Sequence, residues 1–166
     1  MDYKVEKMRS EDWEQVKDIY LEGINTGIAT FQNEVPTWET WDKGHLKIGR
    51  LVARSSDGVL GWMAIAPTSS RCCYEGVVEV SVYIRENYRG NGIGTSLLKK
   101  LIEQSEESGI WTLYCSIIKE NYGSIEMHKK CGFREIGIRE RISKMPNGTW
   151  HDVVLLERRS NITGMI

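Results

Sequence analysis

Glycines stand on alternate positions in Arg89-Gly90-Asn91-Gly92-Ile93-Gly94-Thr95, directly after a strand-like run and directly before a helix-like one. The run Val77-Val78-Glu79-Val80-Ser81-Val82-Tyr83-Ile84 is rich in β-branched and aromatic residues, as a strand requires. From Ile93 to Glu107, the side chains of Ile93, Leu97, Leu98, Leu101 and Ile102 recur at helical spacing, with Lys99, Lys100, Glu103 and Gln104 on the other face. Glycine lets the main chain turn sharply and admits a ligand with no Cβ in the way. The first amides of a helix lack internal partners and carry the positive end of its dipole. Strand, glycine turn and helix start together predict an anion site suited to phosphate. It is not a Walker loop, because Gly94 is followed by Thr95-Ser96 with no lysine. A dinucleotide fingerprint also fits poorly: the spacing is G-x-G-x-G, and the next strand, Trp111 to Ile117, ends without an acid. A plain hairpin at Asn91-Gly92 conflicts with the long helix pattern that follows.

Two titratable residues lie near this loop in sequence or pattern. Glu79 interrupts an otherwise apolar strand and shares a face with Ser81 and Tyr83. Half-burial raises the pKa of such a carboxylate toward the range of a useful general base; on a solvent-facing strand it would be an ordinary surface glutamate. His128 sits in the helix pattern Asn121 to Cys131, where Ile125 and Phe133 face the core. With an unperturbed pKa of roughly 6.5 a histidine can serve as acid or base, or simply occupy a polar helix face. Asn121 suits a helix N-cap.

Composition bounds the rest. The 166 residues suit one domain over 1–166, large enough for a proper core. Hydrophobic residues make up 40% and charged ones 27%, and the net charge of −1 comes from 22 basic and 23 acidic side chains. That balance points away from nucleic acid and anionic membranes as partners. No run approaches transmembrane length, and the amino end does not open a signal peptide. Cys72, Cys73, Cys115 and Cys131 fit neither a zinc motif nor a disulfide framework, so reduced thiols in a cytoplasmic protein are expected.

In chain order, Tyr3 to Met8 reads as a strand. Ser10 reads as the N-cap of a helix carrying Trp13, Val16, Ile19 and Tyr20 on one face. Thr37 can cap a second helix with Trp38 and Trp41 together and His45 toward solvent. Arg50–Arg54 and Val59–Ala66 form a hairpin, and Thr68 to Gly76 a polar loop. Phe133–Lys144 and Thr149–Glu157 form a last hairpin, with a frayed tail from Arg158. The order β-α-α-β-β-β-α-β-α-β-β predicts an α/β (α+β) domain: a mixed, mostly antiparallel sheet of about seven strands flanked by about four helices, with one parallel crossover.

The glycine loop resembles the Arg/Gln-x-x-Gly-x-Gly/Ala loop of the GCN5-related N-acetyltransferases, which cradles the pyrophosphate of coenzyme A. Asn121-Tyr122-Gly123-Ser124-Ile125-Glu126-Met127-His128 through Gly132-Phe133 is similar to that family's second signature. Ala29-Thr30-Phe31, Arg71-Cys72-Cys73-Tyr74, Glu79-Val80-Ser81-Val82-Tyr83 and Gly148-Thr149-Trp150-His151-Asp152-Val153 resemble the phosphinothricin/methionine-sulfone branch. The resemblance implies the acyl-CoA N-acyltransferase fold, acetyl-CoA as cofactor, the α-amino group of a small amino acid analogue as acceptor, and a homodimer. It places the general base at Glu79. It puts His128 where many relatives carry a thiolate-protonating tyrosine. Pantetheine would pair with the backbone of Val82, Tyr83 and Ile84. The pyrophosphate would rest on Gly90, Asn91, Gly92, Ile93, Gly94 and Thr95, with Arg89, Asn121 and Lys130 as further cofactor contacts. Arg71, Cys72, Cys73 and Tyr74 would meet the acceptor's carboxylate, and Phe31, Tyr74 and Trp150 its aliphatic part. Two other readings of the same machinery remain: acetylation of a protein N-terminus or lysine, and a non-catalytic acetyl-CoA-binding module.

Overall fold

The computed structural model of the chain describes residues 1–166. Its strands are β1 (Lys4–Lys7), β2 (Leu51–Ser55), β3 (Gly58–Pro67), β4 (Val77–Ile84), β5 (Thr112–Ile118), β6 (Arg134–Lys144) and β7 (Trp150–Arg159). Its helices are α1 (Trp13–Asn25), α2 (Trp38–Gly44), α3 (Ile93–Glu107) and α4 (Tyr122–Lys130). The seven strands form one sheet in the order β1-β2-β3-β4-β5-β7-β6. Every neighbouring pair is antiparallel except β4 and β5. The expected mixed sheet with one parallel crossover is therefore present.

Alternation along the strands decides what each face buries. On one face Leu97, Leu98 and Leu101 of α3 pack with Leu60, Val78, Val80 and Leu113 in the larger core. On the other, Val16, Ile19 and Tyr20 of α1 and Trp41 of α2 pack with Val52, Trp62 and Ala64. Thr37 caps α2 as expected, its hydroxyl accepting the Thr40 amide at 3.2 Å.

Three local expectations are corrected. Ser10 does not cap α1. The chain enters through a 3-10 turn, Ser10–Asp12, the Ser10 hydroxyl bonds Glu11 at 2.9 Å, and it is Asp12 that takes the Arg9 amide at 2.8 Å. His45 does not face solvent. Its Nδ1 lies 2.7 Å from the Trp41 carbonyl and its ring stacks on Trp41 at 4.3 Å, so indole contact wins over hydration. The tail is docked, not frayed. Arg158 pairs with Glu106 at 2.9 Å, and Arg159 donates to the carbonyls of Ser160 and Thr163 at 2.7 and 3.0 Å.

The β1–β2 corner is held by charge. Arg54 donates to both carboxylate oxygens of Asp12 at 2.9 and 2.8 Å and also contacts Glu6. Asp12 is only 3% exposed. Burial pushes its carboxyl up, but the bonds from Arg54 and the Arg9 amide outweigh this and hold it below the ordinary 3.8. A depressed folded-state pKa adds stability that is present above the unfolded value and lost as pH falls through the folded one. Asp12→Asn is expected to cost about 2 kcal/mol near neutrality. Melts from about pH 7 to about pH 3 should show variant and wild type converging on the acid side; a constant gap would overturn this account.

Candidate active site

The site begins where a ladder stops. β4 and β5 pair at Val77↔Thr112, Val78↔Leu113 and Glu79↔Tyr114, and no further. Beyond Glu79 the two strands diverge, and their carboxyl ends open a cleft. The Arg85 amide donates to the Leu60 carbonyl at 2.8 Å, so along β4 the odd residues turn their backbone groups toward β3. The Val80 carbonyl and the N–H and C=O groups of Val82 and Ile84 therefore face the cleft. Tyr83 is a correction: its backbone faces β3, and what it gives the cleft is its ring.

A cavity of about 380 Å³ runs from this edge to the start of α3. Gly90 and Gly92 adopt φ of 77° and 78°, the left-handed region that favours glycine. None of the amides of Gly90, Asn91, Gly92, Ile93, Gly94 and Thr95 donates to a backbone acceptor; the first helical bond is Ser96 N–H to the Gly92 carbonyl at 3.0 Å. Arg89 lines the cavity, anchored by its Nε to the Ile84 carbonyl at 3.1 Å. Asn91 turns its side chain away, onto the carbonyls of Tyr88 and Arg89 at 3.0 and 3.2 Å, and so braces the loop. Asn121 occupies the N-cap position of α4 yet makes no side-chain capping bond, which leaves its amide free toward the cavity it lines. This set of unpaired donors at a helix start fits a pyrophosphate, and the free edge of β4 fits the amides of pantetheine. Lys130 does not belong here, because it is exposed in the last turn of α4, at the end away from Asn121.

A second cavity, of about 570 Å³, adjoins the first. Val82, Tyr83, Asn121 and Ser124 line both. The Tyr83 ring stacks on Tyr20 at 4.8 Å and on Trp62 at 5.0 Å, which fixes the shared wall. Glu79 and His128 both line the second cavity, and Glu79 is the one charged residue that does. Glu79 is open to the cavity yet ringed by protein, and this desolvation pushes its carboxyl above the ordinary 4.5. His128 is 1% exposed. Its Nδ1 lies 2.7 Å from the Ser124 carbonyl, which can only accept, so Nδ1 carries the proton. Nε2 then presents a lone pair and has no partner. Burial pushes the imidazole pKa down, against a smaller upward pull from Ser124, so the ring is neutral near neutral pH. Cys115 also lines this cavity, but burial and the charge of Glu79 push its thiol up to about 12, too high for a nucleophile.

Of the expected acceptor contacts, Phe31 alone lines the cavity, packed against Ile118 and Val153. Arg71, Cys72, Cys73 and Tyr74 lie outside it, in the loop before β4. The Arg71 guanidinium rests 5.6 Å from the Tyr74 ring, and Tyr74 is 46% exposed. Trp150 is 56% exposed and carries Lys144 over its ring, also outside. Thr30, Gln32 and Asn33, unassigned from sequence, line the cavity beside Phe31, as do Ser116 and Ser124. Ser124 stood inside a recognised signature, whereas Gln32 and Asn33 lie in a loop with no periodicity to flag them.

A mixed sheet splayed at its parallel pair, with an amide cradle at a helix start and a carboxylate-bearing cavity beside it, defines a coenzyme A-dependent acyltransferase. The sequence pattern of the Acetyltransferase (GNAT) family matches residues 9–133. A phosphinothricin N-acetyltransferase of Alcaligenes faecalis is 30% identical over 165 residues, 95% of this chain and 82% of that protein. An L-methionine sulfoximine/L-methionine sulfone acetyltransferase of Pseudomonas aeruginosa is 32% identical over 146 residues, 84% of each protein. The crystal structure of a GNAT superfamily phosphinothricin acetyltransferase from Sinorhizobium meliloti, in complex with AcCoA, superposes with a TM-score of 0.90 at 23% identity, over 100% of this chain and 92% of that one. The chain belongs to the GNAT acetyltransferase family. It is an acetyl-CoA-dependent N-acetyltransferase.

The glycine turn supplies a direct test. Nothing lies within 4 Å of a Cβ added at Gly92, so Gly92→Ala strains only the backbone, by about 1 kcal/mol. Calorimetric titration is expected to show coenzyme A affinity reduced about tenfold, with the melting temperature lowered by only about 2–4 °C. Unchanged affinity would remove the loop from the cofactor site.

Proposed function

We propose that the chain acetylates the α-amino group of a small glutamate- or methionine-like amino acid analogue, of the phosphinothricin, methionine sulfone or methionine sulfoximine type. The observation that carries this is the cavity of about 570 Å³ that holds Glu79 and shares a wall with the amide cradle. Its size suits a single amino acid, and the names of the relatives point to the same acceptors.

Acetyl-CoA supplies the activated acyl group. The chain's own residues hold it, with the loop amides and Arg89 on the diphosphate and the cleft-facing backbone of Val82 and Ile84 on the pantetheine arm. Glu79 takes the proton of the acceptor's ammonium group, a task for which its raised pKa suits it. His128 lines the same cavity, its ring fixed by the bond from Nδ1–H to the Ser124 carbonyl. The departing coenzyme A thiolate would take up the second proton lost by the acceptor nitrogen, since the neutral Nδ1–H tautomer leaves His128 Nε2 no proton to give. The Val82 amide, on the free edge, is placed to donate to the developing oxyanion.

The reading includes a homodimeric, cytoplasmic enzyme whose catalytic domain spans 1–166. The exposed Ile136, Ile138 and Ile142 on the outermost strand β6 support a contact with a second copy, and the free thiols suit a reducing compartment. No helix is long and apolar enough to cross a membrane.

Free-thiol release assayed over a panel of amino acids, methionine sulfone and peptides tests the acceptor class; turnover of peptides alone would reject it. Glu79→Gln is expected to cut kcat about a hundredfold or more and leave coenzyme A affinity within about twofold. Because the base must be ionised, kcat/KM should rise with pH through a limb above the ordinary 4.5 of a glutamate. An unaltered kcat in Glu79→Gln would assign the proton transfer elsewhere.

A further inference from the structure

The glycine loop is aimed by the turn that precedes it. Glu86–Tyr88 form a single 3-10 turn between β4 and the loop. It is closed by the Tyr88 amide on the Arg85 carbonyl at 2.9 Å and the Arg89 amide on the Glu86 carbonyl at 3.3 Å. The first amide of such a turn has no partner inside it. Here the Glu86 N–H donates to Oε2 of Glu22 at 2.6 Å, 64 residues away in the chain. The other oxygen, Oε1, accepts from Nη1 of Arg85 at 3.2 Å, and Arg85 is itself fixed by its Nε on the Val59 carbonyl at 3.1 Å. The far end of the turn is tied as well, the Tyr88 hydroxyl donating to Asp57 at 2.9 Å.

A partly exposed Glu–Arg pair is worth little by itself, because two long side chains must be ordered in water. This pair differs in that its guanidinium is anchored to one strand and its carboxylate grips main chain. Glu22 stands in the last turn of α1, one residue before Gly23. Gly23 lets that helix end press onto the Tyr83 ring, which a Cβ there would meet at 2.5 Å. Gly23, Thr26 and Ile28 line the cavity of about 380 Å³ from this element, and Tyr88, Arg89 and Gly90 line it from the loop. Glu22 does not line the cavity. One carboxylate outside the cavity therefore joins the helix end to the entrance of the loop.

We propose that Glu22 is a positioning residue for the acyl donor. By holding the Glu86 amide it fixes the direction in which the glycine loop leaves β4, and so presents the loop amides to the diphosphate of coenzyme A. The inference rests on the reading of that loop as the diphosphate cradle. Without the carboxylate the turn keeps its own 3-10 bonds but is free to shift against α1, and donors moved by a fraction of an ångström lose much of a charge-assisted bond. The free edge at Val82 and Ile84 lies before the turn and is set by the β3–β4 register, so the pantetheine arm keeps its seat.

Coenzyme A and pantetheine, which carries the same amide arm without the diphosphate, separate the possibilities. For Glu22→Ala, calorimetric titration is expected to show coenzyme A bound about tenfold more weakly, while pantetheine, titrated by ligand-observed NMR, binds within about twofold of wild type. In the free-thiol assay KM for acetyl-CoA should rise in step, with kcat within about twofold. Equal weakening of both ligands would reduce Glu22 to a general structural role, and unchanged coenzyme A affinity would overturn the assignment. Gly92→Ala measured alongside tells two failures apart. If it also leaves coenzyme A affinity unchanged, the cradle reading falls and this assignment with it; if it alone weakens binding, only the assignment falls. Should Glu22→Ala not fold, Glu22→Gln is read in the same way: it keeps an oxygen for the Glu86 amide and loses the charge facing Arg85, so the expected loss is about threefold.

Discussion

Everything functional in this molecule depends on an interrupted ladder. β4 and β5 pair over Val77 to Glu79 and then part, although both chains remain extended for several residues more. Strand backbones do not stay unpaired inside a protein without cost. Here the Val80 carbonyl and the groups left over on Val82 and Ile84 face a cleft, and the start of α3 faces it too. The interruption turns two structural deficits, a bare strand edge and an uncapped helix start, into a surface complementary to an extended amide-bearing arm that ends in a diphosphate. The larger core on the α3 face keeps both deficits open by holding Val78, Leu97, Leu98 and Leu113 together below the fork.

The electrostatics of the second cavity follow from burial more than from charge pairing. Glu79 is raised by desolvation with no cationic neighbour to offset it, His128 is lowered by the same cause, and Cys115 is raised. One desolvating setting thus brings an acid and an imidazole toward each other's range while silencing a thiol. The contrast with Asp12 is instructive. Asp12 is as buried as His128, but it is ringed by donors from Arg54 and Arg9 and stays ionised as a structural pin.

The elements around the site were legible in the sequence because their signals are local. The bounds Val77–Ile84 and Ile93–Glu107 follow from a β-branched run, a glycine turn and a helical apolar stripe, and the structure reproduces them. Glu79 was legible because a carboxylate in such a run breaks the pattern. Other features depend on contacts distant in sequence. Nothing near His45 announces that it will lie on Trp41, and nothing near Arg159 announces carbonyls to receive it. Arg71 looked suitable by residue type, yet the loop that carries it ends before the cleft opens.

The ring of Tyr83, wedged between Tyr20 and Trp62, has a thermodynamic consequence. Because it walls both cavities, any shift that one occupant imposes on it is felt by the other, and to that extent the two binding free energies are coupled. Reciprocity then requires that whatever the donor does to acceptor affinity, the acceptor does equally to the donor. An acetyltransferase built on such a party wall is inclined toward an ordered, synergistic ternary complex, and away from a double-displacement scheme in which each partner visits alone.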